Sequence, residues 1–190
     1  MALFTLFEIF DMLLMTLVVG YIFSGAFRKP VTEDYDPLKH YKSRLHLDDF
    51  KFAALATAPG IILHELGHKF VALGFGMSAT FQAAYTFLAL GLVMKLMSFP
   101  FIFFVPAYVS IIGNGTALQH SLIAFAGPAV NLFLWLVPLL LSKYKLVNKK
   151  YDHIMLLTSK INMFLFIFNI LPIPGFDGSK VFMGLIQTFF

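Results

Sequence analysis

The sequence predicts an all-α polytopic membrane protein with about five to six transmembrane segments, a small β-hairpin and a broken re-entrant segment. Three observations carry this. Of the 190 residues, 59% are hydrophobic and only 13% are charged, whereas a soluble domain is about half apolar and roughly a quarter charged. The charges are clustered, which leaves long uncharged runs of the length a bilayer requires. Prolines and glycines interrupt the last of those runs, from Pro172 to Gly178.

The first expected span runs from Ala2 to Phe27 and carries Glu8 and Asp11 near its start, where each must face another helix, an interface or water. The N-terminus lacks the basic start and small-residue cleavage site of a signal peptide, so this run is expected to be retained. A polar stretch follows, Arg28 to Lys51, with the turn-prone pair Asp36-Pro37. It reads as an extramembrane loop. The second span is expected from Phe52 to Gly74, with Pro59-Gly60 interrupting its start. The apolar region from Tyr85 to Val105 contains Lys95, Ser98 and Pro100. It fits either one kinked span or a hairpin that enters and leaves on the same side. Pro106 to Phe125 reads as a β-hairpin, with β-branched and aromatic residues at 108–112, the turn dipeptide Asn114-Gly115, and Leu118 to Phe125 returning. Further spans are expected from Ala126 to Leu141 and from Ile154 to Leu171. A shorter apolar stretch, Lys180 to Phe190, closes the chain.

There are no cysteines, so a metal site must use histidine, carboxylate or water. The formal net charge is +4. Its lysines and arginines lie between apolar runs, which suits lipid headgroups and topology rather than nucleic acid.

The second span contains His-Glu-Leu-Gly-His at 64–68. Four residues apart on a helix, His64 and His68 stack on one face and can bind one zinc ion. Glu65 stands beside them and can take a proton from a water that attacks a peptide carbonyl. A motif this short recurs by chance in soluble helices. Within an apolar span the same residues cost several kcal/mol unless paired, which favours a metal. Asp177, after the Pro-Gly break, is the best candidate for a third ligand; it equally suits a cap of the final helix, with Gly178 in the turn.

Three segments together resemble the site-2 protease family of intramembrane zinc metalloproteases: HELGH at 64–68, Ala126-Gly-Pro-Ala-Val-Asn131, and Asn169-Ile-Leu-Pro-Ile-Pro-Gly-Phe-Asp-Gly178. The resemblance covers the chain from about Phe52 onward. It implies a three-helix catalytic core in residues 52–190, preceded by an N-terminal span and polar loop in 1–51. It implies one zinc ion held by His64, His68 and Asp177, with Glu65 as catalytic base. It brings Asn131 near the active site, holding substrate or oxyanion; the plainer reading is a bond to a neighbouring helix. The function implied is hydrolysis of peptide bonds within transmembrane segments of membrane-protein substrates, in the lipid bilayer of a multi-pass integral membrane protein. The alternative is a zinc-binding membrane transporter or a non-catalytic relative. No regulatory domain of the family's usual kinds is expected, and Lys95 matches no family position.

Other polar residues read as structural. His40 and His46 fall in the polar loop, His120 on the expected hairpin and His153 at a span boundary. Lys95 is expected to snorkel or to line an aqueous pocket. The sequon Asn114-Gly-Thr116 is explained by its turn.

Overall fold

The computed structural model describes residues 3–27, 47–99 and 105–190. Within them the order is α1 (Leu6–Phe23), α2 (Leu47–Gly74), β1 (Ser78–Ala83), α3 (Tyr85–Leu96), β2 (Ala107–Ile112), α4 (Ala117–Lys143), α5 (Lys149–Ile170) and α6 (Asp177–Phe189). Three of these helices, α1, α4 and α5, are long and apolar enough to cross a membrane. The chain is thus a multi-pass integral membrane protein. Its outer surface suits lipid, with large apolar side chains such as Phe7, Leu13, Phe133 and Leu140 exposed.

Helix α2 is the axis of the fold. It spans 28 residues, about 42 Å at 1.5 Å per residue, and packs against α1, α4, α5 and both strands. It begins at Leu47, inside the stretch expected to be loop, and runs unbroken through Pro59 and Gly60. The glycine serves a close approach: a Cβ there would lie 2.7 Å from Asn162 Oδ1 of α5. A proline inside a packed helix is tolerated where neighbours compensate for the missing hydrogen bond. The His40, His46 and Asp36-Pro37 readings lie outside the described residues.

The expected strand at 108–112 is present, but its partner is not the segment after Asn114-Gly115. β2 pairs antiparallel with β1, Phe81 opposite Val109 and Ala83 opposite Ala107. Residues 118–125 are helical instead. Thr116 is the N-cap of α4, and its hydroxyl and the Gln119 side chain each accept the other's backbone N–H. That reciprocal cap turns the chain into a helix where a hairpin return was expected.

The region from Tyr85 to Val105 departs from the β pair and returns to it, since Ala84 N–H donates to Pro106 O at 3.0 Å. Its helix α3 has 12 residues, about 18 Å, well short of a bilayer. The two ends of the excursion therefore meet at the β pair, as in the hairpin alternative. Lys95, near its tip, donates to Ile22 O at 2.9 Å and to Ser24 Oγ at 3.3 Å. It thereby satisfies the carbonyl end of α1.

The two acids of α1 are buried and bind this β pair. Glu8 accepts from Phe81 N–H at 2.7 Å and forms an ion pair with Lys69 of α2. Asp11 accepts from Ala83 N–H at 3.0 Å and from the Tyr85 hydroxyl. Around them Met15, Val19, Phe81, Ala83, Leu88 and Ala107 form an apolar cluster. Both side chains of the Glu8–Lys69 pair are 2% exposed. Removing one partner of such a pair typically costs about 3 to 5 kcal/mol. Glu8→Gln is expected to lower the thermal unfolding midpoint in detergent, and adding Lys69→Met to restore part of it. An unchanged midpoint in the single variant contradicts this role.

Candidate metal centre

His64 and His68 project from the second half of α2 toward α4 and the start of α6. Each ring is held through Nδ1. His64 Nδ1 lies 2.7 Å from Asn131 Oδ1, and His68 Nδ1 lies 2.7 Å from the carbonyl oxygen of Ile123. Both partners are acceptors, so in the neutral rings Nδ1 carries the proton and Nε2 presents a lone pair. This is how metal-binding histidines are normally oriented.

Asp177 meets those lone pairs. The chain leaves α5 at Ile170, turns through Gly175 at φ +99°, and enters α6 at Asp177. Gly178 lets the new helix sit against the old one, since a Cβ there would lie 2.2 Å from Ile170 O. The capping alternative is not what is found: the N-cap is Phe176, and no side chain caps α6. Asp177 Oδ2 instead lies 3.1 Å from His64 Nε2 and 3.2 Å from His68 Nε2, and the two Nε2 atoms are 3.1 Å apart. Three potential ligand atoms converging at these distances form a group that could hold a metal ion. In a tetrahedral centre with ligands at roughly 2.0 to 2.1 Å, ligand atoms lie about 3.3 Å apart. The observed triangle is close to that, and the donor set of two imidazoles and a carboxylate suits zinc.

Gly127 keeps the space beside the triangle open. A Cβ on it would lie 2.3 Å from His68 Nε2 and 2.7 Å from His64 Nε2. The same helix packs tightly on the motif's own glycine, with Ala126 O 2.9 Å from where a Cβ on Gly67 would be. The Ala126-Gly-Pro segment thus matters for its lack of bulk. Sequence reasoning quoted it but gave Gly127 no role. The one available signal is a glycine inside a long apolar helix, where helix propensity disfavours it.

Glu65 is buried and, with His64, His68 and Asp177, lines a cavity of about 1260 Å³. Asn131 is fully buried and is not among the cavity-lining residues. Its Nδ2 has no hydrogen-bond partner among the described residues. His120 also lines the cavity, while His153 packs on Phe52 at 5.5 Å between ring centroids. Lys95 is among the cavity-lining residues, as one of its two expected placements had it.

A protein of Methanocaldococcus jannaschii named "Putative zinc metalloprotease MJ0611" is 38% identical to this chain over 133 residues, covering 70% of this chain and 69% of that protein. The chain belongs to this zinc metalloprotease family. No family model matches the sequence, and no solved structure matches it. Membership agrees with the donor triangle on chemical grounds. Two imidazoles and one carboxylate leave a tetrahedral position open, which a catalytic zinc site needs and a closed structural site lacks.

Two outcomes check the geometry. Gly127→Ala is expected to abolish metal binding by pushing a methyl group into both rings, read as metal per chain in the purified protein. Asn131→Ala is expected to weaken metal affinity by about 10- to 100-fold, the usual effect of losing a group that orients a ligand histidine. Full metal content in Gly127→Ala contradicts the site.

Proposed function

We propose that the chain is an intramembrane zinc metalloprotease of the site-2 type, hydrolysing peptide bonds within transmembrane segments of other membrane proteins. The observation that carries this is the His64–His68–Asp177 triangle at the wall of a large cavity, inside a bundle of membrane helices, with Glu65 on the same wall. His64, His68 and Asp177 would hold one zinc ion, which when bound supplies Lewis acidity for polarising a carbonyl and activating water. Glu65, next to the first ligand but not one of the converging donors, takes the proton of the attacking water and returns it to the leaving amine. Asn131 is assigned to positioning: it holds His64 in the ligating tautomer. Its burial away from the cavity favours this over contact with substrate or oxyanion.

The β pair supports a mode of substrate capture. The N–H groups of Phe81 and Ala83 point away from β2, toward Glu8 and Asp11. In an antiparallel pair the residues opposite them, Val109 and Ala107, also turn their backbone groups outward. Residues of β2, Ala107, Tyr108, Val109 and Ile111, are among the walls of the cavity. A helical peptide bond is already hydrogen-bonded and shielded, so a substrate segment must unwind before hydrolysis. Once extended, it can add to the outer edge of β2 as a strand. The edge belongs to β2 alone; the expected return strand at 118–125 takes no part.

A zinc carrier has the same need for His64, His68 and Asp177 but none for Glu65. Glu65→Gln is expected to keep one zinc per chain and to lose cleavage of transmembrane substrates in detergent by at least about 100-fold, the scale of a lost general base. Cleavage undiminished in that variant removes the assigned base. Zinc transport into sealed vesicles by both wild type and variant, without cleavage, replaces the protease with a carrier.

A further inference from the structure

The cavity has an asymmetry of charge that the metal centre does not use. Apart from Glu65 and Asp177, no carboxylate lines it among the described residues, whereas Lys95, Lys160 and Lys180 do. Two of the lysines have partners. Lys95 is tied to the end of α1, and Lys180 lies 4.0 Å from Asp177 Oδ1. Lys160 has no hydrogen-bond or ion-pair partner among the described residues.

Lys160 lies near the middle of α5, a helix long and apolar enough to cross a membrane. A lone ammonium there is costly in lipid. Its direction is fixed by its neighbours: Leu157, Ile161, Phe164, Leu165 and Phe168 form one helical stripe with it, and all line the cavity. Lys160 therefore faces the chamber that holds the metal centre.

Its height follows from helix packing. Phe52 of α2 packs on His153 of α5, and Gly60 of α2 meets Asn162 of α5. The two helices therefore run parallel. Lys160, two residues before Asn162, stands near the height of Ala58, two residues before Gly60. His64 is six residues beyond Ala58, roughly 9 Å along the axis. An extended peptide crosses that distance in roughly three residues.

We propose that Lys160 is a specificity residue: it receives an acidic side chain of the peptide substrate, a few residues from the bond placed at the metal centre. This rests on the protease reading for the nature of the ligand. The Lys160 ammonium, exposed to the chamber, donates to the substrate carboxylate in a charge-assisted hydrogen bond. An Asp or Glu within a transmembrane segment is itself costly in lipid, so the chamber would favour segments that carry one.

The test uses the full chain in detergent, zinc-loaded and carrying Glu65→Gln so that peptides stay intact. The probes are rhodamine-labelled synthetic transmembrane peptides, otherwise apolar, with a single Asp or Asn scanned along the sequence. Fluorescence anisotropy reads the dissociation constants. At the favoured position the Asp peptide is expected to bind roughly tenfold more tightly than its Asn twin, the scale of one charge-assisted hydrogen bond. Lys160→Met should bring that ratio near one while leaving zinc content and affinity for the Asn peptide in place. Lys160→Arg should keep the ratio, and Lys160→Glu should reverse it toward a Lys peptide. Equal binding of Asp and Asn peptides at every position overturns the proposal, as does a preference that survives Lys160→Met. The two readings separate when Glu65 is intact. Acid preference without hydrolysis leaves Lys160 in its role and defeats the protease, and hydrolysis without acid preference does the reverse.

Discussion

Two imidazoles and a carboxylate share one point inside a bundle of membrane helices, and much of the architecture serves that convergence. Among apolar surroundings three lone pairs repel one another unless a proton or a metal ion joins them. Each ligand also needs its own support. His64 and His68 come from one helix, so their spacing is set by the helix itself. Their ring orientations are not, and α4 sets these through Asn131 and the Ile123 carbonyl. Asp177 comes from elsewhere in the chain, delivered by a turn after α5 that stops one helix and starts another beside it.

Close packing makes the convergence possible. Helix α4 reaches the histidines because Gly127 and Gly67 lack side chains at the crossing. Helix α5 reaches α2 because Gly60 does. In lipid there is little hydrophobic gain from joining helices, so small residues at crossings are what allow backbones to approach and polar groups to meet. On the opposite flank α1 does different work. Its Glu8 and Asp11 occupy one edge of the β pair and, through Lys69, fix that pair to the metal-bearing helix. The other strand, β2, contributes residues to the cavity wall. The histidine-bearing helix and the β pair are thus tied together by buried ionic and backbone hydrogen bonds.

What could be read from the sequence was local. The i, i+4 histidines with Glu65 and the carboxylate after a Pro-Gly break are short-range patterns with a direct chemical meaning. Three of the expected spans have counterparts in helices long and apolar enough to cross a membrane, although α4 begins nine residues before the expected Ala126. What could not be read depends on contacts between distant segments. β1, Ser-Ala-Thr-Phe-Gln-Ala, has no neighbouring turn signal, and its partner lies beyond an entire helical excursion. The turn signal at Asn114-Gly115 suggested a hairpin, but the Thr116–Gln119 cap directs the chain into α4. Lys69 was hidden next to a stronger motif, although the acids of α1 required a partner. Lys160 was passed over inside an otherwise apolar run, since only the packing of α5 shows which way it faces.

The central claim is that one metal ion joins His64, His68 and Asp177. X-ray absorption at the zinc edge of the purified protein tests it most directly, with zinc counted per chain in wild type, His68→Ala and Asp177→Ala. The account predicts one zinc per chain, scattering from two imidazoles, the remaining ligands oxygen, and loss of zinc in both variants. A wild-type chain without zinc, or zinc that stays in both variants with unchanged scattering, would contradict it.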